Sequence, residues 1–307
     1  MAEAATSQYE PSTSPFTDET ARRALTRACQ LAGVAARSVE LIRLGSNAVF
    51  RLDDHLIARV APSIQLFANA EKQIEVARWL ESVDYPATRA AEVTQPIEAE
   101  GRVVTFWESI SSQTVYAPIR KVAELIRRLH ELPAPADIAL PELRPFGEPG
   151  EDLPQFPGLF PTDAQFLRQR IAWARETFPQ LPYVLPRGHV HGDANVGNVI
   201  CDDDGRAVLI DLDGFAVGAR EWDLIQTALF ADRLGWHTEE EYRDFVEVYG
   251  YDVTCWSTYS ELADMREIAM TSWMAKKADL SPGTAAEAVE RIHAMRTGAS
   301  RRNWGAH

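Results

Sequence analysis

The segment HGDANVGN, residues 191–198, places one histidine, one aspartate and two asparagines in eight positions. Thirteen residues after Asn198, Asp211 ends the apolar run VLID. Oxygen atoms of aspartate and asparagine are hard ligands of the kind Mg²⁺ prefers, alongside phosphate oxygens and water. Because two short strands, NVI and VLID, lie between them, we expect Asn198 and Asp211 side by side, with Asp193 facing a substrate hydroxyl.

The patterns around this segment predict the elements that must position it. Residues 38–108 contain β-prone runs separated by turn residues, with one helical pattern among them. From residue 117 onward the patterns are mostly helical. The predicted fold class is α+β with two lobes, a small β-rich N-terminal lobe and a larger, mostly helical C-terminal lobe.

The predicted organisation has three parts. Residues 1–17, rich in Ser, Thr and Pro, are expected to be a disordered tail, residues 18–108 the first lobe and residues 109–307 the second. Residues 131–161 contain eight prolines, which predicts a long irregular segment of the kind that often serves function. A helix is expected to resume after it, with Thr162 as its N-cap.

Composition limits the classes of protein to consider. A net charge of −14 disfavours a duplex nucleic-acid binder. The chain has no run of about eighteen apolar residues and no basic, apolar leader, so we expect neither a membrane span nor a signal peptide. Three cysteines without a CxxC pair are typical of a reducing compartment, and we expect a cytoplasmic monomer or homodimer.

The motif residues resemble a known pattern. His191, Asp193 and Asn198 match the HxDxxxxN catalytic loop of the aminoglycoside phosphotransferase and choline kinase families, and Asp211 matches the metal-binding aspartate on their next strand. Since these families resemble the protein kinases, a two-lobed protein-kinase-like fold is implied over roughly residues 20–297. The resemblance also implies transfer of phosphate from ATP or GTP to a small-molecule hydroxyl, with Mg²⁺.

The same resemblance assigns a role to each motif residue. Asp193 would orient the acceptor hydroxyl and take its proton, while Asn198 and Asp211 would hold Mg²⁺ against the nucleotide phosphates. An aspartate is a weak base at neutral pH, but the loose transition state of phosphoryl transfer needs mainly positioning. His191 is interpreted as a scaffold of the loop, and Asp223, in EWDL, as its structural anchor.

Other interpretations of this segment stay open at the sequence level. An Asx-rich turn between strands would have a similar composition. His189, His191 and Asp193 resemble the HxHxD start of a zinc hydrolase, although no clear third histidine ligand follows. Asp213 is either a further partner of the metal site or an exposed acid.

The first lobe is expected to hold the nucleotide. In LGSNAVFRL, the backbone N–H groups of Ser46 and Asn47 would contact the phosphates, although an ordinary hairpin turn would look the same. In TFWES, the backbone near Trp107 and Ser109 would meet the adenine as the hinge between the lobes.

Arg59, in LIARV, stands where the resembled families carry their phosphate-pairing lysine or arginine. A guanidinium can bridge phosphate oxygens in a bidentate manner, although a surface arginine on an edge strand is the alternative. The spacing for its usual glutamate partner falls on Gln73, with Glu71 and Glu75 on either side. Either one of these acids reaches Arg59 by a shifted register, or Gln73 holds it without a charge.

Residues 230–270 contain ten acidic, three basic and eight aromatic residues. Carboxylates and rings together suit a cationic acceptor such as a polyamine sugar or a quaternary amine. Solvated helix faces over an aromatic core are the alternative explanation. The proline-rich segment and Trp273 are expected to close the acceptor pocket.

The sequence therefore predicts an ATP- and Mg²⁺-dependent kinase of a small, amine-bearing or sugar-like molecule, with inactivation of an aminoglycoside or other antibiotic as the leading role. The alternative is a biosynthetic or salvage kinase for a sugar, an amino sugar or an amino alcohol such as choline. A non-catalytic nucleotide-binding relative and a zinc hydrolase are less favoured. A protein kinase is disfavoured because IDLDGF and EWD leave no room for an activation segment.

Overall fold

A computed structural model describes residues 15–53, 55–135, 137–279 and 281–305. The described chain divides into two units. The first contains the residues up to 117 with 135–139 and 197–215, and the second contains residues 118–134, 140–196 and those from 216 onward. The three-part organisation drawn from the sequence stays a prediction, and residues 197–215 of its second lobe belong to the first unit.

The first unit is built on an antiparallel five-stranded sheet in the order β1-β2-β3-β5-β4. Its strands are β1 (Val39–Leu44), β2 (Ala48–Leu52), β3 (Leu56–Ala61), β4 (Ile97–Ala99) and β5 (Arg102–Glu108), and its helices are α1 (Asp18–Ala32) and α2 (Phe67–Ser82). Alternate residues of β2, including Phe50 and Leu52, are buried in a core shared with small side chains of α1. The sheet thereby obtains one covered face.

The start of α1 is fixed by its sequence. Thr17 and Thr20 form a reciprocal capping box, and Gly33 ends the helix with a φ of 68°, a conformation that glycine adopts without strain. Pro15 and Phe16, within the predicted tail, contact the buried Arg102: the Pro15 carbonyl accepts from its guanidinium at 3.0 Å, and the guanidinium lies over the Phe16 ring. The remainder of the predicted tail, residues 1–14, lies outside the described residues.

In the order of the chain, the second unit starts with helix α3 (Ile119–Glu131) and helix α4 (Pro161–Thr177). The two-stranded pair β6 (Gly188–Val190) and β9 (Ala216–Gly218) precedes α5 (Glu221–Leu229). The helices α6 (Glu239–Tyr249), α7 (Tyr259–Ala275) and α8 (Pro282–Thr297) complete the unit. Strands β7 (Val199–Cys201) and β8 (Ala207–Leu209) form a hairpin that belongs to the first unit.

The proline-rich segment is irregular, as the sequence predicts. No helix or strand occurs in its described residues 132–135 and 137–160. It is nevertheless packed, because Phe146, Phe156 and Leu159 are buried. The expectation that Thr162 caps the next helix is wrong: α4 begins at Pro161, with Phe160 at the N-cap. The fixed φ of proline suits the first helical position and places the start earlier.

A small antiparallel sheet in one unit and mostly helices in the other confirm the predicted α+β class. Across the described part of the chain, the helices lack the combination of length and apolar character that a membrane crossing requires.

Candidate active site

The loop that follows β6 is held by a buried carboxylate. Asp223, in the first turn of α5, is fully buried. Its Oδ2 accepts the backbone N–H of His191 at 2.7 Å, and its Oδ1 accepts that of Gly192 at 2.8 Å. Both carboxylate oxygens therefore fix the backbone immediately before Asp193, which is the contact expected of an anchor.

Asp223 has a third partner in His130 of α3. The Nε2 of His130 lies 3.0 Å from Oδ2 of Asp223, and its Nδ1 lies 2.8 Å from the hydroxyl of Tyr249. Burial opposes ionisation of the Asp223 carboxyl, but the hydrogen bonds and the charges of His130 and His191 outweigh it and hold its pKa below the ordinary value. The anchor of the loop is thus a buried carboxylate kept in its charged form.

Asp193 stands at the end of this fixed backbone. Its side chain is 49% exposed, and its own N–H donates to Nδ1 of His191 at 3.3 Å. The Asp193 carboxylate also forms an ion pair with Arg266 of α7, whose side chain is buried. Sequence reasoning missed Arg266, since nothing in the sequence links positions 73 residues apart.

The predicted metal ligands, Asn198 and Asp211, flank the hairpin of β7 and β8 in the first unit. The N–H of Ile210 donates to the carbonyl of Asn198 at 2.9 Å, so the hairpin brings positions 198 and 211 to the same end. Asp211 has a φ of 63°. Aspartate tolerates this left-handed conformation better than most residues, and such conformations cluster at functional sites.

This donor set fits a divalent cation that also binds phosphate. One amide oxygen and one carboxylate oxygen suit Mg²⁺, which commonly takes one or two carboxylates and completes its shell with phosphate oxygens and water. By contrast, no cluster of three or more His, Cys, Asp or Glu side chains suited to a metal occurs among the described residues. His189, the first residue of the alternative zinc pattern, is buried, and its Nε2 lies 2.6 Å from the carbonyl of Leu129.

Arg59, on β3, contacts an amide and a carboxylate. Its Nη1 donates to Oε1 of Gln73 at 3.2 Å, and its Nη2 lies 3.1 Å from Oδ1 of Asp211. Gln73 is buried on the inner face of α2, whereas Glu71 and Glu75 are both exposed. Of the three residues that the sequence left open, the neutral Gln73 is therefore the one that contacts Arg59.

Asp213 explains why a neutral side chain stands at position 73. Oδ1 of Asp213 accepts a hydrogen bond from Nε2 of Gln73 and another from Nδ2 of Asn69 at 2.9 Å. Desolvation raises the pKa of the Asp213 carboxyl, although the Arg59 charge works in the opposite direction. A glutamate at 73 would face this carboxylate with a like charge, whereas the amide accepts from Arg59 and donates to Asp213.

Some of the residues predicted to bind the nucleotide line a small cavity of about 50 Å³ in the first unit. Asn47 and Arg59 line it together with Gln73, Thr105 and Asp213. The preceding Ser46 is exposed in the β1–β2 turn, where the N–H of residue 45 donates to the Asn47 carbonyl at 3.0 Å.

The predicted hinge lies at the end of β5, and much of its hydrogen-bonding capacity is used within the first unit. The N–H of Ser109 donates to the carbonyl of His55 at 2.9 Å, and the Ser109 hydroxyl accepts from Arg51 at 3.1 Å. The Trp107 ring is buried, and its Nε1 donates to Thr105 at 2.8 Å. A role for Trp107 and Ser109 at the adenine stays a prediction.

The second unit contains a larger cavity, of about 400 Å³. Its walls come from the proline-rich segment, α4 and α7, and they include Phe146, Glu151, Asp152, Arg175, Trp273 and Lys276. Trp273 is 51% exposed. The two carboxylates of this cavity belong to the proline-rich segment, while the acids of residues 230–270 do not line it.

Several acids of residues 230–270 have structural partners instead. Asp264 and Glu267 form ion pairs with Arg233, and Glu267 also pairs with Arg301. The hydroxyl of Tyr259 donates to Asp232 at 2.8 Å. These contacts support the explanation that this region is mainly a set of packed helices.

Comparisons with known proteins place the chain in a family. The sequence pattern of the phosphotransferase enzyme family matches residues 38–263. A solved structure of amicoumacin kinase hAmiN with AMP-PNP, Ca²⁺ and Ami is 15% identical, with a TM-score of 0.71, covering 94% of this chain and 96% of that one. A search of curated protein sequences finds no significant match.

Two further solved structures are similar. Choline kinase LicA from Streptococcus pneumoniae is 16% identical, with a TM-score of 0.58, covering 88% of this chain and 97% of that one. Aminoglycoside phosphotransferase APH(3'')-Id from Streptomyces rimosus is 19% identical, with a TM-score of 0.59, covering 83% of this chain and 99% of that one. The predicted family resemblance and the protein-kinase-like fold are thereby confirmed.

Proposed function

Because the chain belongs to the phosphotransferase enzyme family and is a small-molecule kinase, we propose that it transfers the γ-phosphate of ATP to a hydroxyl of an amine-bearing molecule, with Mg²⁺. The supporting observation is the fixed loop: Asp193 is half-exposed, while the two residues before it are bound to the buried Asp223. In the reaction, the acceptor oxygen bonds to the γ-phosphorus, the bond to the β-phosphate oxygen breaks, and ADP leaves.

Asp193 is the group that positions the acceptor. Its carboxylate accepts a hydrogen bond from the acceptor hydroxyl and takes the proton as the new O–P bond forms. Since the transition state is loose, the proton moves late, and the main contribution of Asp193 is to orient the oxygen. His191 and Asp223 act only by holding the loop.

The nucleotide is assigned to the first unit. The guanidinium of Arg59 can bridge two phosphate oxygens as it would a carboxylate, and the backbone at Ser46 and Asn47 would contact the same phosphates. Asn198 and Asp211 would hold Mg²⁺, which when bound neutralises charge on the phosphate oxygens.

The 400 Å³ cavity in the second unit is assigned to the acceptor. Glu151 and Asp152 can meet ammonium groups. Nζ of Lys277 lies 3.5 Å from the centroid of the Trp273 ring, so a cation or a sugar would stack on the opposite face of this ring. Phe146, in the wall of this cavity, packs against Trp222, and the guanidinium of Arg266 lies 5.0 Å from the centroid of the Trp222 ring. The cavity is thus joined by direct packing to the ion pair of Asp193.

An ADP-release screen tests the proposal. Purified protein is given ATP, or GTP with GDP release as the readout, together with aminoglycosides, other antibiotics, amino sugars, choline and neutral sugars, each with and without Mg²⁺. We expect ADP release that depends on an amine-bearing acceptor and on Mg²⁺, and that is lost in Asp193→Asn. Release that continues without an acceptor and in Asp193→Asn would contradict acceptor phosphorylation. Activity with neutral sugars alone would contradict the proposal that the acceptor carries an amine.

Expression in an antibiotic-sensitive bacterium distinguishes antibiotic inactivation from a biosynthetic or salvage role. Inactivation of an antibiotic in the cytoplasm, our favoured role, predicts growth at raised antibiotic concentration with the wild-type protein but not with Asp193→Asn. An unchanged susceptibility, with phosphorylation of an amino sugar or choline in the screen, would favour the biosynthetic or salvage alternative.

A further inference from the structure

We propose that Arg266 is a positioning residue for Asp193, an inference that rests on the proposed function, in which Asp193 orients the acceptor hydroxyl. The guanidinium Nη2 of Arg266, on α7, pairs directly with Oδ1 of Asp193. One partner of the pair is buried and the other is half-exposed, with 7% and 49% of their side chains accessible. Arg266 thus holds the carboxylate from inside the unit while the carboxylate stays accessible.

Arg266 is itself fixed from several sides. Its Nη2 also donates to Oε1 of Gln226 on α5, and its Nη1 donates to the carbonyl of Gly192 at 3.4 Å. Its Cζ lies 5.0 Å from the centroid of the Trp222 ring. Trp222 in turn donates from Nε1 to the carbonyl of Gly192 at 2.9 Å. One guanidinium therefore connects α5, α7 and the catalytic loop.

This arrangement needs the shape of an arginine. A guanidinium is planar, has donors in a fixed fork and can stack on a ring, so it can satisfy Asp193, Gln226 and Gly192 while lying on Trp222. A lysine has a single ammonium on a flexible stem and cannot keep these contacts together. Charge alone would therefore not replace Arg266.

The consequence for the reaction is geometric. When proton transfer is late, an aspartate contributes by where it holds the acceptor oxygen. A displacement of about 1 Å can lower the rate by about 100-fold. Releasing the carboxylate from Arg266 is thus expected to lower kcat and to leave the binding of the nucleotide, assigned to the first unit, unchanged.

Arg291 offers a matched structural control. Its side chain is 3% exposed, it pairs with Glu287 at 2.8 Å, and its Cζ lies 4.9 Å from the centroid of the Trp304 ring. Arg291→Gln therefore removes a similarly buried guanidinium that has a carboxylate partner and a ring contact, but one whose contacts are formed within and beside α8.

The first test compares variants with the acceptor identified by the ADP-release screen. For Arg266→Gln we expect kcat to fall about 100-fold with the nucleotide KM unchanged. Arg266→Lys should lose most of this kcat as well, and it decides the test if Arg266→Gln does not fold. Arg291→Gln should lower the melting temperature but leave kcat close to that of the wild type.

The second test is chemical rescue. In Arg266→Ala, millimolar guanidinium should raise kcat about tenfold by occupying the position that the side chain has left. The kcat of Asp193→Asn should not respond to guanidinium. Wild-type kcat in Arg266→Gln or Arg266→Lys, or a folded Arg266→Ala without rescue, would overturn this inference alone. A wild-type protein that phosphorylates no acceptor, or an Asp193→Asn variant with full activity, would overturn the proposed function instead.

Discussion

Two aspartates of the motif each pair with an arginine, and the two pairs differ in their surroundings. In the first unit, the Arg59 and Asp211 side chains are 18% and 36% exposed. In the second unit, Arg266 is 7% exposed and lies against Trp222, while its partner Asp193 is 49% exposed. The two pairs therefore differ in the burial of the arginine and not of the carboxylate, and the more deeply buried cation depends more strongly on its counterion.

The difference corresponds to what each pair has to do in the proposed reaction. Arg59 and Asp211 are both assigned to ligands, the phosphates and Mg²⁺, so their mutual contact has to be exchangeable. Asp193 has to keep one orientation through every turnover, and a buried, multiply bonded Arg266 suits that purpose. An aspartate–arginine pair can therefore open to bind ligands in the first unit and hold a carboxylate in one orientation in the second.

Replacing the carboxylate of each pair, Asp193 or Asp211, tests this comparison and should have the largest effect on activity. Asp193→Asn should lower kcat by about 10²–10⁴-fold, the usual contribution of an acid–base group, and Asp211→Asn should also inactivate the enzyme. The variants should differ in stability, because only Asp193→Asn leaves a buried arginine without its counterion.

Thermal unfolding measures that difference. We expect the melting temperature of Asp193→Asn to fall by several degrees, at about 2–4 °C per kcal/mol, and that of Asp211→Asn to stay near the wild-type value. Equal melting temperatures for the two variants would contradict the proposed division between a fixed and an exchangeable pair.

Asp223→Asn should weaken the fixed loop itself. The backbone N–H groups of His191 and Gly192 each donate to one oxygen of the carboxylate, and an amide has only one oxygen. One of these buried N–H groups would therefore lose its acceptor, which costs about 1–3 kcal/mol of stability. Since folding lowers the pKa of Asp223, its charge stabilises the fold above the unfolded value, about 3.9, and this contribution is lost as the pH falls through the folded value.

Urea unfolding at several pH values measures this effect. The difference in free energy of unfolding between the wild type and Asp223→Asn should be largest near pH 7 and should shrink below about pH 4. A difference that grows on acidification would show that the carboxylate is not stabilised by its partners.

The local part of this arrangement could be predicted from the sequence. The turn at residues 45–47, the strands around it and the hairpin of residues 199–209 follow from short β-prone runs and turn residues. The spacing of Asp193, Asn198 and Asp211 indicated the kinase family because these residues are close together in the chain.

The rest depends on tertiary contacts that leave no local pattern. Arg266 contacts Asp193 because α7 packs beside α5, and as one of three basic residues in an acidic stretch it had no distinguishing signal. The choice of Gln73 over Glu71 and Glu75 depends on which face of α2 is buried and on the carboxylate of Asp213.

Gln73→Glu tests the exchangeable pair in the first unit with a smaller expected effect. A carboxylate at 73 would face Asp213 and hold Arg59 by charge, so we expect the KM for ATP to rise by about fivefold to tenfold, or about 1 kcal/mol. Gln73→Glu combined with Asp213→Asn should restore the KM because the like charge is removed. An improved KM in Gln73→Glu alone would show that the repulsion from Asp213 is unimportant.

Trp273→Ala should have the smallest effect, confined to the acceptor. Trp273 is half-exposed in the 400 Å³ cavity, so its loss should cost about 1 kcal/mol of cation–π contact, or about fivefold in the KM of an amine-bearing acceptor. Phe160→Ala is the control, since Phe160 is 71% exposed and does not line this cavity. Steady-state kinetics should show an unchanged KM for ATP in both variants. A raised KM for ATP, or an equal change in Phe160→Ala, would mean that the cavity does not select the acceptor.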